Sequence, residues 1–250
     1  MEAYTCFSEI YDTFMDNVPY EDWGRFLHGL LQEYQITGGT LLELGCGTGN
    51  MTELLAGYGF HMIALDYSPE MLMEAMDKKI RSGHDILYLE QDMREFEISG
   101  TVQAAVAVCD AVNYVTGPNE LERVFARICQ YLDDQGVFIF DFNPEYKYRE
   151  ILGEQTIAEN RDKGSFIWEN YYDAKTRVNE YELTLFIREG NGLYRKHQEV
   201  HYQRAYKLSE IIKLIESAGL KFIRAFDGYT KDPAHEKSER ICVVAQKLGV

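Results

Sequence analysis

No apolar run in this chain of 250 residues approaches the roughly 20 residues that a membrane-spanning helix needs. Glu2 and Glu9 interrupt the short apolar pieces at the N-terminus, so an export signal is not expected either. Cysteine is scarce: Cys6, Cys46, Cys109, Cys129 and Cys242 are odd in number and no two form C-x-x-C, which speaks against a disulfide framework and against a zinc site. Positive charge is in the minority, 25 Lys and Arg against 41 Asp and Glu, for a formal net charge of -16. Such a surface repels phosphate backbones and anionic membranes, and no basic patch in the sequence stands against that field. The expectation is a soluble, cytoplasmic protein that acts on neither membrane nor nucleic acid. At 46% hydrophobic, the chain has ample core for one large α/β domain with an insertion.

The stretch Leu41-Leu42-Glu43-Leu44-Gly45-Cys46-Gly47-Thr48-Gly49-Asn50 breaks an apolar run with three alternating glycines, and Met51 to Ala56 resumes at helical spacing. This predicts a strand, a tight turn and a helix start, a place where backbone approaches a nucleotide-like ligand. The dinucleotide pattern G-x-G-x-x-G would need a glycine at position 50, where Asn50 stands, so a nicotinamide cofactor is disfavoured. The pattern present is E-x-G-x-G-x-G.

Before this loop, Phe7, Ile10, Tyr11, Phe14 and Met15 form one helical stripe and Trp23, Phe26, Leu27, Leu30 and Leu31 a second. After it, short apolar strands at 60–65, 86–89, 102–108 and 137–142 alternate with helical patterns, one of them opened by Ser68 as N-cap and Pro69 at its first position. Such alternation implies right-handed crossovers and a parallel sheet. From about Asn143 to Ala205 the period changes to two, with Asn191-Gly192 as a hairpin turn, and the α/β pattern then resumes with Ser209 capping a helix. Residues 1–142 and 206–250 therefore read as one α/β unit, and 143–205 as an inserted antiparallel sheet.

Asp66 closes the second strand seventeen residues after Gly49, where a carboxylate can accept both hydroxyls of a ribose. Asp92, at the end of the third strand, is placed to accept an adenine amino group with Met93 covering the ring. Cys109 to Tyr114 follow the fourth strand, beside the glycine loop, where chain order reverses and open α/β sheets bind ligands. Together these segments resemble the class I S-adenosylmethionine-dependent methyltransferases, over nearly the whole chain. The opening Tyr11-Asp12-Thr13-Phe14-Met15, Tyr20, Trp23, the inserted sheet and Glu199-Val200-His201-Tyr202-Gln203-Arg204 are similar to a bacterial subgroup of small-molecule-type members. The resemblance implies a doubly wound, Rossmann-like sheet with an antiparallel insertion, S-adenosylmethionine as cofactor and a small acceptor. It implies cofactor contacts at Glu43, Gly45, Cys46, Gly47, Asp66, Tyr67, Met71, Asp92, Met93, Cys109, Asp110 and Asn113. A sulfonium is a fixed cation drawn to ring faces, which adds Tyr11, Tyr20 and Trp23. No Asp/Asn-Pro-Pro-Tyr or Pro-Cys segment follows the fourth strand, which disfavours methylation of a nucleobase amine and cysteine-based cytosine chemistry.

Methyl transfer is an in-line displacement with a good leaving group, so positioning supplies most of the acceleration. Where a proton must move, Tyr114 beside the cofactor and His201 from the insertion are the candidate catalytic residues, with Tyr202 and Gln203 next to His201. His197, Glu199 and His201 do not make a metal site, because on a strand the outer two are about 13 Å apart at about 3.3 Å per residue. Two other readings keep the fold: a non-catalytic sensor of S-adenosylmethionine, and an NAD-dependent dehydrogenase.

Overall fold

The computed structural model describes residues 7–117 and 119–249; Glu2 and Cys6 lie outside them. Helices α1 (Ser8–Phe14) and α2 (Tyr20–Glu33) lead into β1 (Thr40–Leu44), whose Leu41, Leu42 and Leu44 are fully buried. There follow α3 (Asn50–Gly57), β2 (His61–Asp66), α4 (Pro69–Ser82), β3 (Ile86–Glu90), β4 (Val102–Ala107), α5 (Glu120–Tyr131) and β5 (Leu132–Phe142). β1 pairs in parallel with β2 and β4, and β3 and β5 extend the sheet on either side, so the chain order reverses between β1 and β4. The cap read at Ser68 is present, its hydroxyl accepting the Met71 N–H at 3.2 Å.

The insertion holds β6 (Thr156–Arg161), β7 (Gly164–Asp173), β8 (Val178–Arg188) and β9 (Tyr194–Arg204), a four-stranded antiparallel sheet in chain order. Its inner face presents Phe166, Leu183, Leu185 and Ile187 to Ile10 and Phe14 of α1, so the N-terminal helix is clasped between the insertion and the main sheet. The chain returns through α6 (Leu208–Ser217), β10 (Leu220–Asp227) and β11 (Ile241–Lys247). The seven-stranded sheet runs β10-β11-β5-β4-β1-β2-β3 and its two faces are covered by two apolar clusters.

Three expectations are corrected, and the insertion gains one strand that the sequence did not mark. β11 lies antiparallel between β5 and β10, because β10 and β11 are joined by a loop with no crossover helix, so the sheet is not parallel throughout. The cap of α6 is Lys207 and not Ser209, and it makes no side-chain capping bond. β5 begins at Leu132, which pairs with Val102, ahead of the apolar run from Val137. β6 is an additional edge strand whose polar sequence carries little alternation of apolar residues. Among the described residues no helix is long and apolar enough to cross a membrane, and Cys46, Cys109, Cys129 and Cys242 are free thiols.

Candidate active site

A cavity of about 450 Å³ opens at the carboxyl ends of β1 to β4, under α1 and the inserted sheet. Its floor is the glycine loop, folded back on β2 by the Gly45 and Cys46 N–H groups, which both donate to the Leu65 carbonyl at 2.8 and 3.0 Å. Gly47 has φ of 53° and a Cβ built on it would meet nothing within 4 Å, so it combines a left-handed turn with an open face. A side chain at Gly49, by contrast, would collide with the Tyr88 hydroxyl.

Three carboxylates converge from three strand ends. Glu43 is buried, its Oε2 accepts the Thr52 hydroxyl at 2.6 Å, and its Oε1 has no hydrogen-bond partner among the described residues. Burial, with Asp66 nearby, pushes the Glu43 carboxyl up to about 8. Asp66 accepts the Gly47 N–H on Oδ2 at 2.8 Å and the Ser68 N–H on Oδ1 at 2.9 Å, so the backbone fixes it from both sides, and burial raises its pKa in spite of these bonds. Burial would raise Asp92 too, but the Arg94 guanidinium, whose Nε lies 2.9 Å from each carboxylate oxygen, outweighs it and holds Asp92 below its usual range. Met71 and Met93 line the wall between them, Tyr67 lies half exposed at the mouth, and Cys46 faces the same space.

The roof is aromatic. Tyr11 of α1 and Tyr20 of α2 both line the cavity, burial drives both phenols well above their usual range, and the Cys109 thiol lies 3.8 Å from the Tyr20 hydroxyl. A polar latch holds α1 down: Asp12 Oδ1 accepts the Thr48 hydroxyl at 2.7 Å and the Asn50 amide at 2.9 Å, and Lys78 Nζ lies 2.6 Å from Asp12 Oδ2. Burial opposes the Asp12 charge, and the Lys78 and Thr48 bonds overcome it. Thus Asn50, where a third glycine would have stood, ties the loop to its cover.

At the reversal point Cys109 and Asp110 both take left-handed backbones, φ of 56° and 54°, a strained pair for residues with a Cβ. Fully buried Asp141 restrains them, accepting the Asp110 N–H on Oδ1 at 2.6 Å and the Cys109 N–H on Oδ2 at 3.2 Å. Arg240 bridges Asp141 at 2.9 Å and Asp110 at 2.7 Å, and Tyr229 donates to Asp141 at 2.5 Å.

Of the residues singled out from the sequence, Tyr11, Tyr20, Glu43, Gly45, Cys46, Gly47, Asp66, Tyr67, Met71, Asp92, Met93, Cys109, Tyr114 and His201 line this one cavity. Trp23, Asp110 and Asn113 do not. Trp23 stacks on Tyr229 at 4.2 Å and covers Arg240, whose Cζ is 5.2 Å from its ring centre. The Asp110 carboxylate faces Arg240 and accepts the Gln203 amide at 2.7 Å. Asn113 donates to the carbonyls of Asn143 at 3.0 Å and Arg204 at 2.8 Å, clasping both stems of the insertion.

Tyr114 and His201 meet across the cavity wall, Tyr114 Oη lying 3.3 Å from His201 Nδ1. Glu199 Oε2 lies 3.3 Å from His201 Nε2, and Glu199 Oε1 accepts the Phe7 N–H at 3.1 Å. The sequence marks Glu199 within the segment shared with the bacterial subgroup, and strand spacing excludes it from a metal site with His197 and His201; its spacing of two from His201 places both on one strand face. Asp12 stands within the opening segment shared with the subgroup but without a role, and Lys78, Asp141, Tyr229 and Arg240 have no local signal.

A family model described as a methyltransferase domain matches residues 41–136. A protein of Geobacillus sp. (strain WCH70) is 31% identical over 98% of this chain and 100% of its own, and YqeM of Bacillus subtilis (strain 168) is 30% identical over 98% and 97%; both carry the name of candidate methyltransferases. The crystal structure of an S-adenosylmethionine-dependent methyltransferase from Clostridium acetobutylicum ATCC 824 is similar with a TM-score of 0.90 and 29% identity, covering 99% of this chain and 100% of that one.

Proposed function

Given that the chain belongs to the class I S-adenosylmethionine-dependent methyltransferases, we propose that the cavity under α1 holds the cofactor and that the methyl group passes there to a small-molecule acceptor. The observation that carries this reading is the convergence of Glu43, Asp66 and Asp92 on one cavity, with Glu43 Oε1 lacking a partner among the described residues. That oxygen suits the amino-acid end of the cofactor. Asp66, oriented by two backbone donors, suits the ribose hydroxyls. Asp92 suits the adenine amino group, with Met93 against the ring, and the Tyr11 and Tyr20 rings suit a sulfonium. The open side of Gly47 lets the backbone come close.

Bound there, the cofactor supplies a methyl group on a positively charged sulfur that leaves readily. The chain's own work is to hold an acceptor in line, exclude water with α1 and the insertion, and move a proton through Tyr114 and His201. Residues 143–205 act as substrate cover. A small acceptor fits a cavity of about 450 Å³ and a formal charge of -16 argues against nucleic acid. The free thiols fit a cytoplasmic setting.

Asp66→Ala tests the placement. Charge-assisted hydrogen bonds are worth about 1.5–3 kcal/mol, so calorimetry should show S-adenosylmethionine binding weakened about 10- to 150-fold, in a protein that still melts cooperatively. An unchanged Kd would remove Asp66 from the site.

A further inference from the structure

We infer that Glu199, His201 and Tyr114 form a proton relay beside the site of methyl transfer, and that the acceptor is an amine entering as an ammonium ion; this rests on the cofactor reading of the cavity given above. Glu199 and His201 project from the inner face of β9 and are 1% and 4% exposed. Two polar side chains sunk under a lid are costly unless each is satisfied by the other. A carboxylate can only accept, so its bond at 3.3 Å puts the imidazole hydrogen on Nε2 and leaves Nδ1 as the acceptor. Nδ1 faces the Tyr114 hydroxyl at 3.3 Å, and both Tyr114 and His201 form part of the cavity wall. The phenol can therefore pass its own proton inward while it takes one from a molecule in the cavity. The Phe7 N–H on the other Glu199 oxygen ties the relay to the N-terminal cover, so the chain of groups is assembled when that cover is down.

The charges of the wall select the acceptor. Among the described residues lining the cavity, Arg94 is the one cationic side chain, and Asp92 and Glu120 share its guanidinium. A carboxylate or phosphate on the acceptor would find no counter-cation, whereas tyrosine rings suit a cation. Tyr67 and Tyr202, 47% and 50% exposed, also line the cavity, and aromatic rings attract a cation. An ammonium has no lone pair and must lose a proton before it can attack, which is the service a relay provides.

In the step, one N–H proton moves to Tyr114 Oη as the phenolic proton moves to His201 Nδ1, giving an imidazolium beside Glu199. The amine nitrogen then forms a bond to the methyl carbon while the carbon–sulfur bond breaks, its electron pair going to sulfur. The product leaves as a methylated ammonium, and His201 returns its proton to solvent once the cover opens. Glu199 is a positioning residue in this scheme, acting through His201.

The test uses the whole protein with S-adenosylmethionine and matched amines, alcohols and carboxylates of one skeleton: benzylamine, benzyl alcohol and benzoate; glucosamine, glucose and glucuronate. S-adenosylhomocysteine formed is read by mass spectrometry. Amines should turn over at least tenfold faster than the other two, and Glu199→Gln should lower kcat tenfold or more and move the acid limb of its pH profile, with cofactor Kd unchanged. Imidazole nitrogen NMR of the protein without acceptor should show His201 protonated on Nε2. Preference for alcohols or carboxylates, or methylation of no amine while the cofactor binds, overturns the acceptor class. Protonation on Nδ1, or a wild-type kcat and pH profile in Glu199→Gln, overturns the relay. Failure of S-adenosylmethionine to bind at all would instead overturn the reading of the cavity.

Discussion

Arg240→Ala should cost about 3–5 kcal/mol of stability, the cost of leaving buried charge without its partner. Asp141 is fully buried and Asp110 lies beside it, and the guanidinium bridges them at 2.9 and 2.7 Å. Burial disfavours its charge, yet the two carboxylates raise the Arg240 pKa well above the usual value. With the cation removed, two carboxylates face each other, and Lys147, whose amine is lowered by burial and by Arg240, is bonded instead to Asn143 at 3.2 Å. The loss spreads from there. Asp141 restrains the left-handed Cys109–Asp110 turn, and Asp110 orients Gln203, whose Oε1 accepts the hydroxyls of Tyr148 at 2.8 Å and Tyr181 at 2.5 Å inside the insertion. In a chain of this size each kcal/mol moves the melting point by about 2–4 °C, so thermal denaturation should show a fall of roughly 6–20 °C. Arg240→Lys should fall in between, because an ammonium lacks the planar fork that spans two carboxylates. A melting point within about 2 °C of wild type would show that the cluster holds nothing together.

Glu43→Gln should make the free protein more stable and a weaker binder of the cofactor, with both effects set by pH. The carboxyl is raised from 4.5 to about 8 in the fold, mainly by burial. Between those values the unfolded chain has released its proton and the folded chain keeps it, so the folded state binds more protons and stability falls as pH rises. Above about 8 the loss is complete. At 1.36 kcal/mol per pKa unit, wild type should lose on the order of 5 kcal/mol from this group across the window. The amide keeps an acceptor for the Thr52 hydroxyl and does not titrate, so the two proteins should match near pH 4.5 and diverge toward pH 8, as read by urea midpoints. Parallel curves would show that Glu43 is ionised in the fold. Above pH 8, where the Glu43 carboxyl is ionised in the fold, the same variant should bind S-adenosylmethionine about 10- to 150-fold more weakly, since the cation-bearing ligand loses a charged partner. A gain in stability with a loss in binding is the mark of a residue strained for function.

The parts of this molecule that are local were legible in its sequence. Alternating glycines between an apolar run and a helical repeat give the loop, and Ser68-Pro69 gives the start of α4. Carboxylates at the ends of apolar strands could be counted onto one edge of a parallel sheet, which is why Glu43, Asp66 and Asp92 meet. What was not legible depends on pairing at long range. β11 enters antiparallel beside β5 because of how β10 and β11 are connected, which no residue in either strand encodes. Trp23, Asp110 and Asn113 were drawn toward the cofactor by neighbours in sequence, but their partners Tyr229, Arg240, Asn143 and Arg204 come from distant segments. Arg240 sits in a loop between strands, and nothing around it in sequence marks it for burial. Glu199 was within reach, since period two puts it beside His201, but the Phe7 N–H that holds its other oxygen comes from the far end of the chain.

The most direct measurement is titration calorimetry of the purified chain with S-adenosylmethionine, S-adenosylhomocysteine and NAD. The two sulfur ligands should each bind at one site per chain with sub-millimolar affinity and compete with each other, and NAD should neither give heat nor displace them. Heat from NAD, with none from either sulfur ligand, would contradict the assignment of the cavity.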